Sequence, residues 1–231
     1  IGIQSFENIR RGGFVYIDKT ALIHQLATTG KYYFLSRPRR FGKSLLLSTM
    51  EAYFRGKREL FEGLAIERLE KEWAEYPVLH LDFGGASYDN EDTLKEKLRK
   101  QLDSLEAYYG ISCRYSTISI RFDNLIEAVF NKTGRQVVIL IDEYDKPIID
   151  NLSRPELREK FRETLQGFYG VMKSKDAFIR FGFLTGVTKI GKMSVFSGLN
   201  NLMDISMDRE YADICGISEN DLKEYFPESV K

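Results

Sequence analysis

Lys31-Tyr32-Tyr33-Phe34-Leu35-Ser36-Arg37-Pro38-Arg39-Arg40-Phe41-Gly42-Lys43-Ser44 passes from an aromatic, apolar pentad through a basic turn into a stretch carrying Leu45, Leu46, Leu47 and Met50. Residues 31–35 read as a short buried strand, because aromatic side chains suit a pleated surface. Residues 36–42 read as a loop, and Lys43 opens an apolar helix. A strand, a glycine-bearing loop and a helix that begins Lys-Ser form the second half of a phosphate-binding loop. Such a loop turns its N–H groups inward and aims a helix N-terminus at an anion. Lys43 supplies an ammonium for the phosphates, Ser44 a hydroxyl for Mg2+, and Gly42 a close backbone approach. The usual pattern opens on glycine, where this chain has Arg37. Pro38 fixes its own φ and biases Arg37 toward extended backbone, a stiff entry that needs no left-handed residue at position 37.

The second decisive stretch is Val137-Val138-Ile139-Leu140-Ile141-Asp142-Glu143. An unbroken β-branched run is typical of a parallel strand covered on both faces. Its acidic end has the form of a Walker B strand: Asp142 holds Mg2+ directly or through water, and Glu143 orients and deprotonates the attacking water. Magnesium keeps several waters, so Asp142, Ser44 and the phosphates suffice as ligands. Asp145 is the alternative base. Residues 178–185 form a further apolar strand ending in hydroxyls and an ammonium; Thr185 or Thr188 fits a sensor of the γ-phosphate, and Lys189 can meet phosphate charge.

Working outward, residues 78–83 read as a strand ended by Gly84-Gly85, and residues 203–207 as a fifth strand. Asp18 is placed to cap a helix over 19–29, closed by Gly30. An amphipathic helix over 66–76 is expected to stop at Pro77 and to put Trp73 beside Leu69 and Tyr76, in the core or at an interface. Apolar residues recur at three- and four-residue steps from Leu94 to Tyr109, Phe122 to Phe130 and Leu157 to Met172, marking further helices. Strands alternating with helices give an α/β fold with a mostly parallel sheet sandwiched by helices. Ligands of such sheets sit at the carboxyl ends of the strands. The order of the two acidic and basic motifs, with another strand and two helices between them, matches the additional-strand, catalytic-glutamate class of P-loop ATPases.

The 231 residues contain 34 Lys+Arg and 34 Asp+Glu, so zero net charge removes any global argument for a nucleic-acid binder. Apolar residues at 43% and charged residues at 29% exclude a disordered chain. No apolar run reaches the ~18 residues of a membrane span, and no basic-then-apolar leader is read at the start. Cys113 and Cys215 lie far apart without metal spacing and read as free thiols of a reducing, cytoplasmic compartment. His24 and His80 are too few for a histidine-rich metal site. No platform of interleaved aromatic and basic residues favours single-strand binding. Asp82 reads as a strand end at an ordinary turn. Asp18-Lys19-Thr20 reads first as a helix cap and second as a place for base contacts.

Tyr16-Ile17-Asp18-Lys19-Thr20, residues 37–44, Ile141-Asp142-Glu143-Tyr144-Asp145-Lys146-Pro147, Thr185-Gly186-Val187-Thr188-Lys189 and Tyr211-Ala212-Asp213-Ile214-Cys215-Gly216 together resemble the AAA-ATPase-like family of bacterial proteins. The resemblance covers essentially the whole chain, and it makes Arg37 part of that family's own pattern. It implies a P-loop NTPase fold of the AAA-like kind, with ATP and Mg2+ bound. It further implies frequent fusion to a C-terminal PD-(D/E)XK nuclease-like domain, so that this chain would be an N-terminal portion. Residues 1–210 are expected to form the ATPase domain and 211–231 the start of a helical lid or linker. Expected contacts to nucleotide come from Arg37, Pro38, Arg39, Arg40, Phe41, Gly42, Lys43, Ser44 and Leu45. Metal ligation falls to Ser44 and Asp142, and catalysis to Lys43, Glu143 and Thr185 or Thr188. ATP hydrolysis by in-line water attack is the first functional reading. The rivals are a non-hydrolysing nucleotide switch and an ATPase that gates a nuclease-like domain acting on nucleic acid. Oligomerisation stays open.

Overall fold

The computed structural model describes residues 3–189, 195, 196, 199 and 201–229. In chain order the elements are α1 (Phe6–Arg11), α2 (Thr20–Thr29), β1 (Tyr32–Ser36), α3 (Lys43–Phe54), α4 (Ala65–Leu69), β2 (Val78–Asp82), α5 (Glu91–Tyr109), α6 (Ile118–Thr133), β3 (Val137–Asp142), α7 (Lys146–Ile149), α8 (Pro155–Ser174), β4 (Ile179–Gly186), β5 (Met203–Asp204) and α9 (Glu219–Tyr225). The strands form one all-parallel sheet in the order β2-β3-β4-β1-β5. β4 therefore lies between the strand that feeds the phosphate loop and the strand that ends in Asp142, the inserted strand expected from the sequence. Among the described residues no helix is long and apolar enough to cross a membrane.

Period-two alternation divides the core into two layers. Every residue of β3 is buried. Val137, Ile139 and Ile141 join the core of α5, α6 and α8, whereas Val138 and Leu140 join that of α1, α2 and α3. Successive side chains of a strand point to opposite faces, so a helix layer on each side is what an unbroken apolar run demands. The helices are bounded by local chemistry. Asn90 accepts the Thr93 N–H at 3.1 Å to cap α5, Gly110 and Gly134 close α5 and α6 in left-handed backbone, and Pro155 starts α8.

Three expectations are corrected. The helix over 66–76 ends at Leu69, because the Glu70 carboxylate accepts the N–H groups of Lys71, Glu72 and Trp73 and folds them into a turn. Trp73, left-handed at φ 48°, consequently packs on Tyr53 and Phe61, and Leu69 is exposed. The fifth strand stops at Asp204, since the Ser206 hydroxyl takes the Ser36 N–H in place of a ladder bond. The helix starts at Thr20 with Lys19, not Asp18, at its cap position and no side chain capping it; one Asp18 carboxylate oxygen accepts the Thr20 N–H at 2.8 Å and the other the Ala65 N–H at 2.7 Å, joining the starts of α2 and α4.

Phe168 of α8 stacks on Phe122 of α6 at 4.3 Å between centroids, and both are buried. Phe168→Ala is expected to cost about 3–5 kcal/mol of stability through lost contact and a residual cavity. Equilibrium urea denaturation measures it.

Candidate active site

The strand ends converge because the sheet is parallel and in register. Ser36 pairs with Gly186 and Asp82 with Asp142, so the exits of β1, β4, β3 and β2 share one edge. Gly42 sits at φ 84°, a conformation that glycine adopts without strain, and turns the loop into α3. Arg40 is left-handed too, at φ 63°, whereas Arg37 is not, in agreement with the stiff Arg-Pro entry.

Lys43 is buried, and its ammonium donates to the carbonyls of Arg37 and Pro38, each at 2.9 Å, from within its own loop. The Ser44 hydroxyl donates to Asp142 Oδ2 at 2.6 Å across 98 residues of sequence. Thr185 Oγ1 donates to Asp142 Oδ1, which also accepts the Glu143 N–H at 3.0 Å. The two motifs thus meet, with the inserted strand contributing Thr185 directly to the same carboxylate. Thr188 lies apart, its hydroxyl donating to Asp145 at 3.1 Å. Lys189 pairs with Asp204 of β5 at 2.9 Å.

Glu143 is half-buried and left-handed at φ 53°, which ends the strand abruptly; the next N–H, that of Tyr144, donates to the Thr185 carbonyl at 3.0 Å. A left-handed non-glycine residue carries strain of the kind found at functional sites. The Glu143 carboxylate faces the exit of β2, where a Cβ on Gly84 would lie 3.0 Å from Glu143 Oε2. Burial, then the Asp142 and Asp82 carboxylates, push the Glu143 carboxyl above its usual range, against the pull of Lys146 and Lys43. Asp145 is fully buried, and burial raises its carboxyl as well, although N–H donors of Val187 and Thr188 oppose the shift.

The other loop residues divide. The Arg37 guanidinium turns toward main-chain carbonyls, donating to Ser36 O at 3.2 Å, to Ser206 O and to Ala212 O at 3.5 Å, so Arg37 reaches Lys43 through its backbone. Arg39 is exposed and 3.9 Å from Asp150. Arg40, Phe41, Gly42 and Leu45 line a cavity of about 630 Å3 beside the loop. Its far walls are Tyr16, Ile17 and Lys19 on one side and Ile214, Cys215 and Gly216 on the other. Residues of the sequence motifs at 16–20 and 211–216 thus line one cavity, and Lys19 belongs to the stretch read second as a place for base contacts. Ser206 and Ala212, which hold Arg37 through their carbonyls, had no side-chain signal in the sequence. Lys19 Nζ bonds Asp221 of α9 at 2.6 Å, and the Asp18 N–H donates to the Tyr225 hydroxyl at 3.1 Å, fixing α9 at the cavity's rim. Among the described residues no group of three or more His, Cys, Asp or Glu is placed to hold a metal.

The family described as "Predicted AAA-ATPase" matches residues 1–196. A curated protein of Azotobacter chroococcum mcd 1, described as "Uncharacterized protein in vnfD 5'region", is 45% identical over 228 residues. That alignment takes in 98% of this chain and 44% of the relative, so the chain spans less than half of that protein's length. No solved structure matches the chain.

Arg37→Met removes the charge-assisted bonds that tie the loop to residues 206 and 212. A loss of about 1–3 kcal/mol is expected, read as a lower urea midpoint at unchanged slope.

Proposed function

This chain belongs to the Predicted AAA-ATPase family, and we propose that its nucleotide-binding, ATPase-like module binds ATP with Mg2+ and hydrolyses the γ-phosphate by in-line attack of water. The observation that carries the reading is the Ser44–Asp142 contact of 2.6 Å. It joins a hydroxyl at a helix N-terminus to a strand-end carboxylate in the place where β- and γ-phosphates of a P-loop ligand lie. Both groups are hard oxygen donors of the kind Mg2+ selects, and neither is tied to a side-chain cation in this contact, so the donor set fits that ion. Bound there, Mg2+ would neutralise phosphate charge and orient the γ-phosphate.

The remaining steps fall to the chain's own residues. Lys43 is preplaced inside the loop, and its ammonium moves only from two carbonyls to phosphate oxygens. Glu143 stands beside the Asp142 carboxylate with a raised carboxyl, which makes it the stronger proton acceptor once ionised. Thr185 holds Asp142 rather than reaching a phosphate directly. Asp145 is a poor base, because its oxygens already accept from Val187 and Thr188. The apolar cavity beside Gly42 takes the base, with Phe41, 43% exposed, offering an aromatic face. Residues 1–210 form the ATPase unit of this proposal. Residues 211–231 begin a lid or linker in this proposal, and of them Ile214, Cys215 and Gly216 also wall the cavity. Catalysis in such a site comes from positioning and charge stabilisation.

Lys43→Ala is expected to weaken ATP binding by about 1.5–3 kcal/mol for each charge-assisted bond lost. Calorimetric titration measures it, and wild-type affinity in the variant would overturn the phosphate-loop assignment. Glu143→Gln is expected to keep ATP binding and lower single-turnover hydrolysis by ~10²–10⁴-fold. Undiminished turnover would remove Glu143 from the role of base.

A further inference from the structure

Asp145 has no task in the reaction as drawn, yet it is a fully buried carboxylate three residues past Asp142. A carboxylate is left in such a place only when donors surround it. The Val187 N–H donates to both of its oxygens, at 3.2 and 3.0 Å. The Thr188 N–H and hydroxyl donate to Oδ2 at 2.8 and 3.1 Å. On its other side, the Asp145 carbonyl accepts the N–H groups of Ile148 and Ile149 at 3.0 and 2.9 Å, which fixes the residue to α7. The Val187 and Thr188 donors to its side chain come from the exit of β4. The two exits also pack without room for a methyl group, because a Cβ on Gly186 would meet the Tyr144 ring at 2.5 Å and Asp145 Cγ at 3.0 Å.

The geometry points to Asp145 as a positioning residue that locks the exit of β4 so that Thr185 holds the Asp142 carboxylate in its Mg2+-binding orientation; this rests on the nucleotide-site reading above. Thr185 is clamped from both directions. Its carbonyl accepts the Tyr144 N–H, its hydroxyl bonds Asp142, and the residues that follow it are gripped by Asp145. Segments 142–145 and 185–188 therefore move as one piece. Releasing the grip at 187–188 frees the strand end that carries the Thr185 hydroxyl, and Asp142 keeps only Ser44 and the Glu143 N–H. Lys43 and the rest of the loop backbone, which bind phosphate without the metal, stand on β1 and α3; the loop touches the exit of β4 at its entry, where the Arg37 N–H donates to Gly186 O at 3.1 Å and the Ser36 hydroxyl to Val187 O at 3.5 Å, and neither bond involves Asp145.

The test compares ATP affinity with Mg2+ and with a chelator, by calorimetry, for the wild type, Asp145→Asn and Thr188→Val, alongside amide exchange at Val187 and Thr188. An asparagine keeps the volume but offers a single acceptor oxygen and turns an NH2 toward an N–H donor. Asp145→Asn is expected to leave affinity in chelator within about threefold of wild type, and to reduce the Mg2+ enhancement by about tenfold or more. Exchange at Val187 and Thr188 should quicken. Thr188→Val, which removes the hydroxyl bond to Asp145 and spares the carboxylate, should show a smaller loss of the same sign and keeps the question open to measurement if Asp145→Asn does not fold. Faster exchange with an unchanged Mg2+ enhancement overturns the inference, leaving a tether of the fold. Equal loss of affinity with and without Mg2+, in either variant, overturns it too, as does a wild type that binds ATP with no Mg2+ enhancement. A wild type that binds no ATP under either condition overturns the phosphate-site reading and the inference together.

Discussion

Asp142 ends a strand buried along its whole length, and its two oxygens are taken by hydroxyls from different elements, Ser44 of α3 and Thr185 of β4. Burying an ionised carboxylate costs several kcal/mol unless donors replace its water. The sheet meets that cost by bringing the ends of β1, β3 and β4 to one edge in register. The Glu143 N–H completes the set, and it does so because the chain turns left-handed directly after the strand. The placement of the loop before Lys43, of Ser44 and of Glu143 follows from satisfying this one group.

The constraint explains the sequence on either side. Uninterrupted β-branched residues are needed before Asp142 because both faces of β3 are covered; a polar residue at 138 or 140 would face the layer of α1–α3. Left-handed backbone in the loop is confined to its tip, at Arg40 and Gly42, while the entry is pinned by Arg37 to the carbonyls of residues 206 and 212. A glycine at position 37 could not make those bonds. The substitution that looks like a defect in the phosphate-loop pattern is therefore a joint between the loop and the segment forming the opposite wall of the cavity.

What was legible in the sequence is what short-range chemistry dictates. β3 could be read from five β-branched or aliphatic residues in a row, and the Lys43 helix from a glycine followed by an apolar run. The inserted position of β4 followed from motif order and the spacing between motifs. The short α4 was not legible, because Glu70 satisfies three successive N–H groups locally and period alone does not report a side chain competing with the helix. Nor could the division of labour between Thr185 and Thr188 be read. Both follow the same strand, and only the register of β4 against β3 sends one hydroxyl to Asp142 and the other to Asp145. The cavity was invisible for a related reason: its walls come from residues 16–19, 40–45 and 214–217, which nothing in the local sequence joins.

Three carboxylates within four residues thus end in three environments. Asp142 is held by the hydroxyls of Ser44 and Thr185. Glu143 keeps a half-buried side chain close to Asp142 and Asp82, where like charge and burial both favour taking up a proton. Asp145 is fully buried, which raises its carboxyl, and the main-chain N–H groups of Val187 and Thr188 grip it and oppose that shift. Identical functional groups come to differ because each faces a different neighbour, and the neighbours are assigned by strand register. A shift of β4 by one residue against β3 would turn Thr185 away from Asp142 and break the Asp145 grip as well. The register shift at Val137/Val138, at the far end of the same strand pair, leaves the pairing from Val138 to Ile141 regular up to the site. The irregularity is thus absorbed where no chemistry depends on it.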